Sequence, residues 1–392
     1  MFRYKKSVIF LVLGSLIFAI FGGGKLPYFV LCIVIFTVLI SYFWTRSVVS
    51  KLTVRQKTVS DSVNVGDRAQ ISTMVFNGSL LPAIYVEIKN EMIKNITGKD
   101  SPGNVIYLMP FDSKRVTENF ICKYRGRYNF GPVTVSISDV FGLFTWEIKV
   151  KLEGTFNVYP KVVKLSKFST RSAQVFGTVT TKQNANEDYS SISDIRKYYP
   201  GDSLRKIHWK VSARKGLLYV KNYEMTGSAE AHVFLNLYKY DYSDIYRMDT
   251  EEKSVECAIS VVYFMLREGV STMLYANSKK QVYTGSRDLS GFKNFMEELI
   301  NVKSDGEEPF EELLELRSRL ISRGSTVILI TCAVYDALIN RIIQLKEIGF
   351  DVILVYTVIN DISEKHLKII SHYDIKLYKV GLNDDVKMAL EG

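Results

Sequence analysis

The residues best equipped for chemistry crowd into one stretch, Arg196–Glu224, which reads RKYYPGDSLRKIHWKVSARKGLLYVKNYE. Eight cations (Arg196, Lys197, Arg205, Lys206, Lys210, Arg214, Lys215 and Lys221) share its 29 residues with two acids, Asp202 and Glu224. Arginine presents a planar fork that grips a carboxylate bidentately. Arg205 and Arg214 are therefore expected to pair with Asp202 and Glu224, with Trp209 packed beneath, fixing the segment onto the C-terminal domain. The alternative is a docking surface: cations interleaved with Trp209 suit an acidic partner or an anionic lipid. Pro200-Gly201-Asp202 is a turn signal whose Asp can cap the residues after it. His208, with Asp202 and Ser212 near it in sequence, is the one hint of a hydrolase.

Other chemistries find little support. No GxSxG elbow frames a serine, and triads are assembled in space, not along the chain. GxGxxG and GxxxxGK[ST] are both absent, so nucleotide binding has no local signal. Cations and a Trp without a recognition helix or a stacking sheet do not make a nucleic-acid interface. The four cysteines (Cys32, Cys122, Cys257, Cys332) are far apart and the histidines number four, which supports neither a zinc site nor a disulfide framework. No cofactor is expected. Glu307–Glu312 reads as a solvated helix start, where acids suit the dipole.

Several elements must position that segment. Ser7–Thr45 carries a single charge, Lys25, in 39 residues. Ser7–Gly24 and Leu26–Thr45 are each about long enough to cross a hydrocarbon core of roughly 30 Å, and Gly22-Gly23-Gly24-Lys25-Leu26-Pro27 between them reads as a turn. A two-helix transmembrane hairpin is expected. Arg3, Lys5 and Lys6 precede it and Arg46, Lys51, Arg55 and Lys57 come after it, which places both ends in the cytoplasm. The rival reading is a signal peptide over Val8–Phe21 with the second run as sole anchor.

Residues 52–160 alternate with period two, as in Ile84, Val86 and Ile88, and turn pairs such as Asn77-Gly78 and Pro102-Gly103 punctuate them. That pattern predicts an antiparallel β-sandwich, with no helical period of useful length in it. Arg171–Ser191 is polar and aperiodic, a linker or mobile loop. After Glu230 the runs His232–Leu237, Thr326–Thr331 and Asp351–Val358 alternate with helical stripes, predicting a parallel sheet covered on both faces. Charge divides with these regions. Residues 1–157 carry 19 cations against 10 acids, 158–224 carry 13 against 5, and 225–392 carry 19 against 26. Such asymmetry concerns partners and docking, not fold.

The basic stretch resembles the signature of the MoxR-associated "domain of unknown function 58" family. The residues that carry the likeness are Arg196, Tyr198, Pro200, Gly201, Asp202, Arg205, Ile207, Trp209, Ser212, Ala213 and Arg214. Upstream, Arg125-Gly126-Arg127-Tyr128, Gly131-Pro132 and Asp139–Phe144 resemble the family's preceding sandwich region. The resemblance implies a membrane-anchored accessory protein with a von Willebrand factor A-like C-terminal domain, working beside a MoxR-type AAA+ ATPase in assembly or maturation. It carries over no catalytic residue. Von Willebrand A domains commonly hold Mg²⁺ through Asp-x-Ser-x-Ser after the first strand, where oxygen ligands suit a hard cation. Here those positions are Asn236, Tyr238 and Tyr240. Asp241-Tyr242-Ser243 comes five residues late, and Thr331-Cys332-Ala333 lacks a further acid. The metal site is expected to be lost, with the two phenols filling the cation's place.

The resulting expectation is a multi-domain chain. It comprises a transmembrane helical hairpin (1–48), a β-sandwich (49–165), a linker with the basic signature segment (166–228) and a doubly wound α/β domain (229–392). It would be non-enzymatic, a scaffold in the cell membrane with cytoplasmic domains and without nucleic acid. The alternative is a hydrolase using the Asp202/His208 neighbourhood.

Overall fold

The computed structural model describes residues 2–58, 62–168, 187–199, 206–225, 230–358 and 360–392. The chain divides into two bodies, Met1–Lys161 with Leu299–Asn301, and Val162–Glu298 with Val302–Gly392.

The first body opens with a short strand, β1 (Phe2–Tyr4), and continues into helices α1 (Lys6–Gly22) and α2 (Lys25–Ser50). Gly23 and Gly24 separate the helices at φ values of 57° and 81°, a region closed to most side chains, and α2 packs beside α1. Among the described residues, α2 is the helix long and apolar enough to cross a membrane, and α1 is shorter. Large apolar side chains such as Phe10, Phe21, Phe29 and Phe36 stand exposed along both. The last turns of α2 behave differently. Ser41, Thr45 and Val48 are buried, and Val48 joins a core shared with the strands beyond.

Those strands are β2 (Leu52–Thr58), β3 (Ser62–Asn64), β4 (Arg68–Asn77), β5 (Ala83–Asn90), β6 (Asn104–Leu108), β7 (Ser113–Ile121), β8 (Gly126–Asn129), β9 (Val133–Ser138), β10 (Phe144–Val150) and β11 (Thr155–Tyr159). They form sheets in the orders β1-β10-β9-β5-β6, β2-β4-β7 and β3-β11-β8, all antiparallel except β3 against β11. Val54 and Val75 from one sheet meet Val86, Ile88, Val135 and Ile137 from another, so alternating residues interleave as a sandwich core. A second core gathers Ile71, Phe156 and Val158 around Met92 and Ile96.

Two features lay outside the sequence reading. The first residues, assigned there to the hairpin, form β1 and pair with β10 (Phe2 with Trp146, Tyr4 with Phe144). Nothing in a three-residue strand is visible to periodicity, because its partner lies about 140 residues away. Helix α3 (Glu91–Thr97) also interrupts the strands, capped by Asn90, whose side chain accepts from the Met92 amide. Its buried Met92, Ile93 and Ile96 span under two turns, too few to show a helical period.

The second body holds the basic segment. β12 (Glu187–Lys197) pairs antiparallel with β13 (Tyr219–Met225), and α4 (Trp209–Lys215) lies between them. The part of the supposed linker from Glu187 onward is thus strand, drawn out by a partner some thirty residues later. Beyond these come β14 (Glu230–Leu235), α5 (Arg247–Arg267), β15 (Ser271–Ala276), β16 (Val282–Ser286), α6 (Phe292–Leu299), α7 (Phe310–Ser318), β17 (Thr326–Thr331), α8 (Asp336–Ile348), β18 (Asp351–Val358), α9 (Glu364–His372), β19 (Lys376–Gly381) and α10 (Val386–Glu391). The sheet order is β16-β15-β14-β17-β18-β19, parallel except for the β15–β16 pair. Phe234, Leu329 and Leu354 face a core built with α7, α8 and α9, while α5 buries Val255, Ala258, Ile259 and Val262. Every residue of β17 is buried, as a strand covered on both faces requires. Residues before β12 also belong here: Phe168 stacks on Tyr378 with ring centroids 5.1 Å apart.

Candidate functional site

Two places in the second body collect the polar residues singled out by sequence. The first is the basic segment. Tyr198 leaves β12 with its amide bonded to the Leu218 carbonyl (2.9 Å). Pro200, Gly201, Asp202 and Arg205 lie outside the described residues. Ile207 is buried and bridges to Val220. His208 is the N-cap of α4, its Nδ1 accepting from the Val211 amide at 3.3 Å. Ser212 is buried, and its hydroxyl accepts from the Tyr219 amide at 2.9 Å. Gly216 ends the helix in the left-handed region at φ 65°. The backbone of the segment is therefore set by caps and turn bonds.

Its outward face is a different matter. Trp209 is 67% exposed, and Lys210, Arg214 and Lys215 are exposed with it, beside Tyr199, Leu217 and Leu218. Trp209 is not packed beneath the segment, and Arg214 is not a buried partner of a carboxylate. The reason is local. α4 is only seven residues long and buries Ser212 alone, so the residues flanking that position turn to solvent. Arg196 lies over the Tyr199 ring at 5.9 Å. Glu224 lies within β13, where it pairs in register with Asp188.

The second place is the carboxyl edge of the parallel sheet, where β14 sits between β15 and β17. The chain runs from β14 to β15 on one side and from β17 to β18 on the other. Such a divergence leaves a crevice where open α/β sheets bind ligands. Asn236, directly after β14, is wholly buried. Its Nδ2 donates to Asp241 Oδ2 (2.6 Å) and Thr331 Oγ1 (3.0 Å). Its Oδ1 accepts from the Tyr238 amide (3.0 Å) and from Asn277 Nδ2 (3.5 Å). Asn277, directly after β15, also accepts from the Leu237 amide (2.6 Å) and donates to the Glu308 carbonyl (2.9 Å). Tyr242 donates its hydroxyl to the Asn236 carbonyl at 2.6 Å.

Electrostatics reflect this packing. Burial pushes the Asp241 carboxyl above its ordinary value, with Glu311 adding to the effect and the Asn236 amide opposing it. Burial likewise takes the Cys332 thiol up to about 12, which leaves it inert at neutral pH. The Tyr335 phenol is raised, first by burial and then by its bond to Glu311 Oε2 (2.5 Å).

Asp241 and Thr331 thus point two acceptors at one spot, and the amide of Asn236 fills it with N–H donors. The amide nitrogen satisfies both acceptors. The expectation that both phenols fill the place needs correcting. Tyr240 is 73% exposed, stacked edge-on against half-buried Tyr238 at 5.3 Å. Among the described residues, no group of three or more His, Cys, Asp or Glu side chains is placed to hold a metal ion. Loop residue Gly306 closes the crevice, bridging to Tyr238 and bonding Leu237 and Lys239 through its backbone. Asn277 and Tyr335 escaped the sequence reading, and Glu311, read there only as part of a solvated helix start, is half-buried and accepts from Tyr335. The available signal was a polar residue immediately after an apolar strand, which Asn277 shares with Asn236.

The family model described as "Protein of unknown function DUF58" matches residues 194–367, from the basic segment through most of the sheet. The uncharacterized protein YeaD of Bacillus subtilis (strain 168) is 24% identical over 358 residues, covering 88% of this chain and 85% of its own. Among solved structures, an aerotolerance-related membrane protein from Bacteroides fragilis NCTC 9343 is similar at a TM-score of 0.31. It has 10% identity and covers 41% of this chain and 94% of its own. The CARDB domain of the PF1109 protein from Pyrococcus furiosus is similar at a TM-score of 0.20. It has 18% identity and covers 27% of this chain and 86% of its own.

Proposed function

We propose that this chain is a membrane-anchored adaptor of the domain-of-unknown-function-58 family that works by binding, with a MoxR-type AAA+ ATPase as its protein partner in assembly or maturation. The carrying observation is the basic segment. Its backbone is locked by the His208 cap and the Ser212 bond, while Trp209, Lys210, Arg214 and Lys215 are held in solvent. Preorganised aromatic and cationic side chains suit a partner surface that offers acids around an apolar pocket. The single charge between Ser7 and Thr45 and the flanking cations support a two-helix hairpin with both ends in the cytoplasm. The sheet order with one antiparallel edge supports a von Willebrand A-like assignment for 229–392. In this reading the Asn236 amide has taken over the cation's role, and the domain needs neither metal nor cofactor.

The hydrolase reading is less well supported. His208 Nδ1 accepts from the Val211 amide, so in the neutral ring Nε2 carries the proton and the lone pair a general base would use is already engaged in capping α4. The test uses full-length protein in nanodiscs and the MoxR-type ATPase encoded in the same genome. Trp209→Ala with Arg214→Ala is expected to weaken capture at least about tenfold, the effect of about 1.4 kcal/mol of interface energy. Undiminished capture by the double variant would sink the reading.

A further inference from the structure

The sandwich end from which α1 and α2 leave carries three loops with exposed apolar tips. Strand pairing fixes which end this is. Tyr4, one residue before Lys5, pairs with Phe144, and the Lys5 amide bonds the Leu143 carbonyl at 3.0 Å. Leu52, just after α2, pairs with Asn77, and the Gly78 amide bonds the Lys51 carbonyl at 3.1 Å. The loops between β4 and β5, β6 and β7, and β9 and β10 therefore all turn at the end joined to the helices. Their tips are Leu80 (74% exposed), Met109 (54%), Phe111 (60%), Val140 (59%) and Phe141 (63%). At the opposite end, the loops 64–67 and 98–103 carry no exposed large hydrophobic residue.

These tips are held rigidly. Asn77 is wholly buried and braces two of the loops at once. Its Nδ2 donates to the Leu81 carbonyl (2.9 Å) and the Met109 carbonyl (3.1 Å), while its Oδ1 accepts from the Ser79 amide and hydroxyl. Asp139 holds the third loop, accepting from the Phe141 amide at 3.2 Å and the Phe144 amide at 2.8 Å. Buried polar braces under exposed apolar tips describe a surface built to present them.

Helix lengths identify what covers that surface. The uncharged run Ser7–Gly22 of α1 is about 24 Å long, short of a hydrocarbon core of roughly 30 Å. Leu26–Thr45 of α2 just reaches that thickness. Yet the sandwich already grips α2 before Arg46. Tyr42 packs edge-on to Phe144 at 5.9 Å, and Trp44 Nε1 donates to the Pro82 carbonyl at 2.9 Å. Both helices thus enter the sandwich without a spacer, and neither is long enough to hold it clear of the bilayer.

We propose that these three loops form a lipid-contact surface, seated in the headgroup and upper acyl region of the membrane that α1 and α2 enter. The proposal rests on the membrane-anchored reading and adds the sandwich to the anchor. Interfacial burial of apolar side chains alongside spanning helices fixes the tilt of the domain above them.

The test is depth-dependent quenching in the full chain. In a Cys32→Ser background the remaining cysteines (Cys122, Cys257 and Cys332) are buried from label. Leu80→Cys, Phe111→Cys, Phe141→Cys, Asp100→Cys and Ile17→Cys each take a fluorophore. The host is a nanodisc of phosphatidylcholine and phosphatidylglycerol carrying nitroxide lipid labelled near the headgroup or near the bilayer centre. Labels at 80, 111 and 141 are expected to be quenched by the shallow nitroxide, the label at 17 by the deep one, and the label at 100 by neither. If 80, 111 and 141 read like 100 while 17 is quenched, the anchor stands and the lipid surface is refuted. If 17 is also unquenched, the anchor itself is wrong and the surface falls with it.

Discussion

Replacing Asn236 by Asp changes a single NH₂ into an oxygen, and the geometry makes that change severe. In the parent, Nδ2 of the wholly buried Asn236 donates to the half-buried Asp241 Oδ2 at 2.6 Å and to Thr331 Oγ1 at 3.0 Å. Asn236→Asp turns the first contact into two facing carboxylates. Two like charges about 4 Å apart repel by about 4 kcal/mol at the effective dielectric of a protein. Protonating one of them avoids that repulsion but requires its carboxyl to rise by about three pKa units, about 4 kcal/mol again at neutral pH. For a body of this size that corresponds to a fall of about 8–16 °C in melting temperature.

Linkage sets the sign with pH. A carboxyl raised in the folded state, as Asp241 already is by burial, contributes its full stability below its unfolded value. That stability is lost as pH rises through the folded one. The deficit of Asn236→Asp relative to the parent should therefore be large at pH 7 and nearly gone at about pH 4. Divalent cation should also discriminate. Two carboxylates and a hydroxyl converging on one spot are hard-cation ligands, so Mg²⁺ at about a hundred times its dissociation constant should return about 2.7 kcal/mol to the variant and nothing to the parent. Tyr240, being exposed, does not stand in the way. Calorimetry of the full chain in nanodiscs, with chelator and with Mg²⁺, reads all of this. A variant that melts like the parent in chelator at pH 7 would refute the view that the amide replaces a cation. So would one that Mg²⁺ leaves unmoved.

Three further outcomes are expected. Gly306→Ala should destabilise the second body by about 3 kcal/mol or more, because its Cβ would lie 1.7 Å from the Asn277 carbonyl oxygen and the backbone must shift; calorimetry that finds under about 0.5 kcal/mol would contradict the close approach. Asn77→Ala should cost the sandwich about 3–4 kcal/mol by stranding the buried groups it pairs, at about 1–3 kcal/mol each, partly offset by relaxation; a melting temperature equal to the parent's would show that the loops do not depend on it. Trp209→Ala and Arg214→Ala should each melt within about 0.5 kcal/mol of the parent, since both side chains are exposed, and a large loss would return the segment to a structural role.

The elements with strong local pattern were legible from sequence. Val86 and Ile88, or Val133 and Val135, alternate because one face of each strand is buried, and that signal survives without knowledge of partners. The same holds for the buried runs of β14, β17 and β18. The illegible parts depend on distant partners. β1 exists only through β10, and the first residues of β12 only through β13. At the sheet edge, Asn236 was visible as a missing acid, but its hydrogen bonds reach residues up to 95 positions away. For Trp209 and Arg214 residue type argued for burial and pairing. Both are exposed instead, on a helix of seven residues whose one buried residue is Ser212.

If the exposed face of the basic segment is where this chain meets its partner, a crosslinker carried on that face should catch the partner in place. Site-specific photo-crosslinking from position 209 in native membranes, with the full chain expressed at its natural level, asks this directly. Docking through that face predicts one discrete adduct containing a MoxR-type AAA+ ATPase, lost when Arg214→Ala is added and absent when the crosslinker is placed at the exposed Asp100 of the sandwich. No protein adduct at 209, or the same adducts from 209 and from 100, would contradict it.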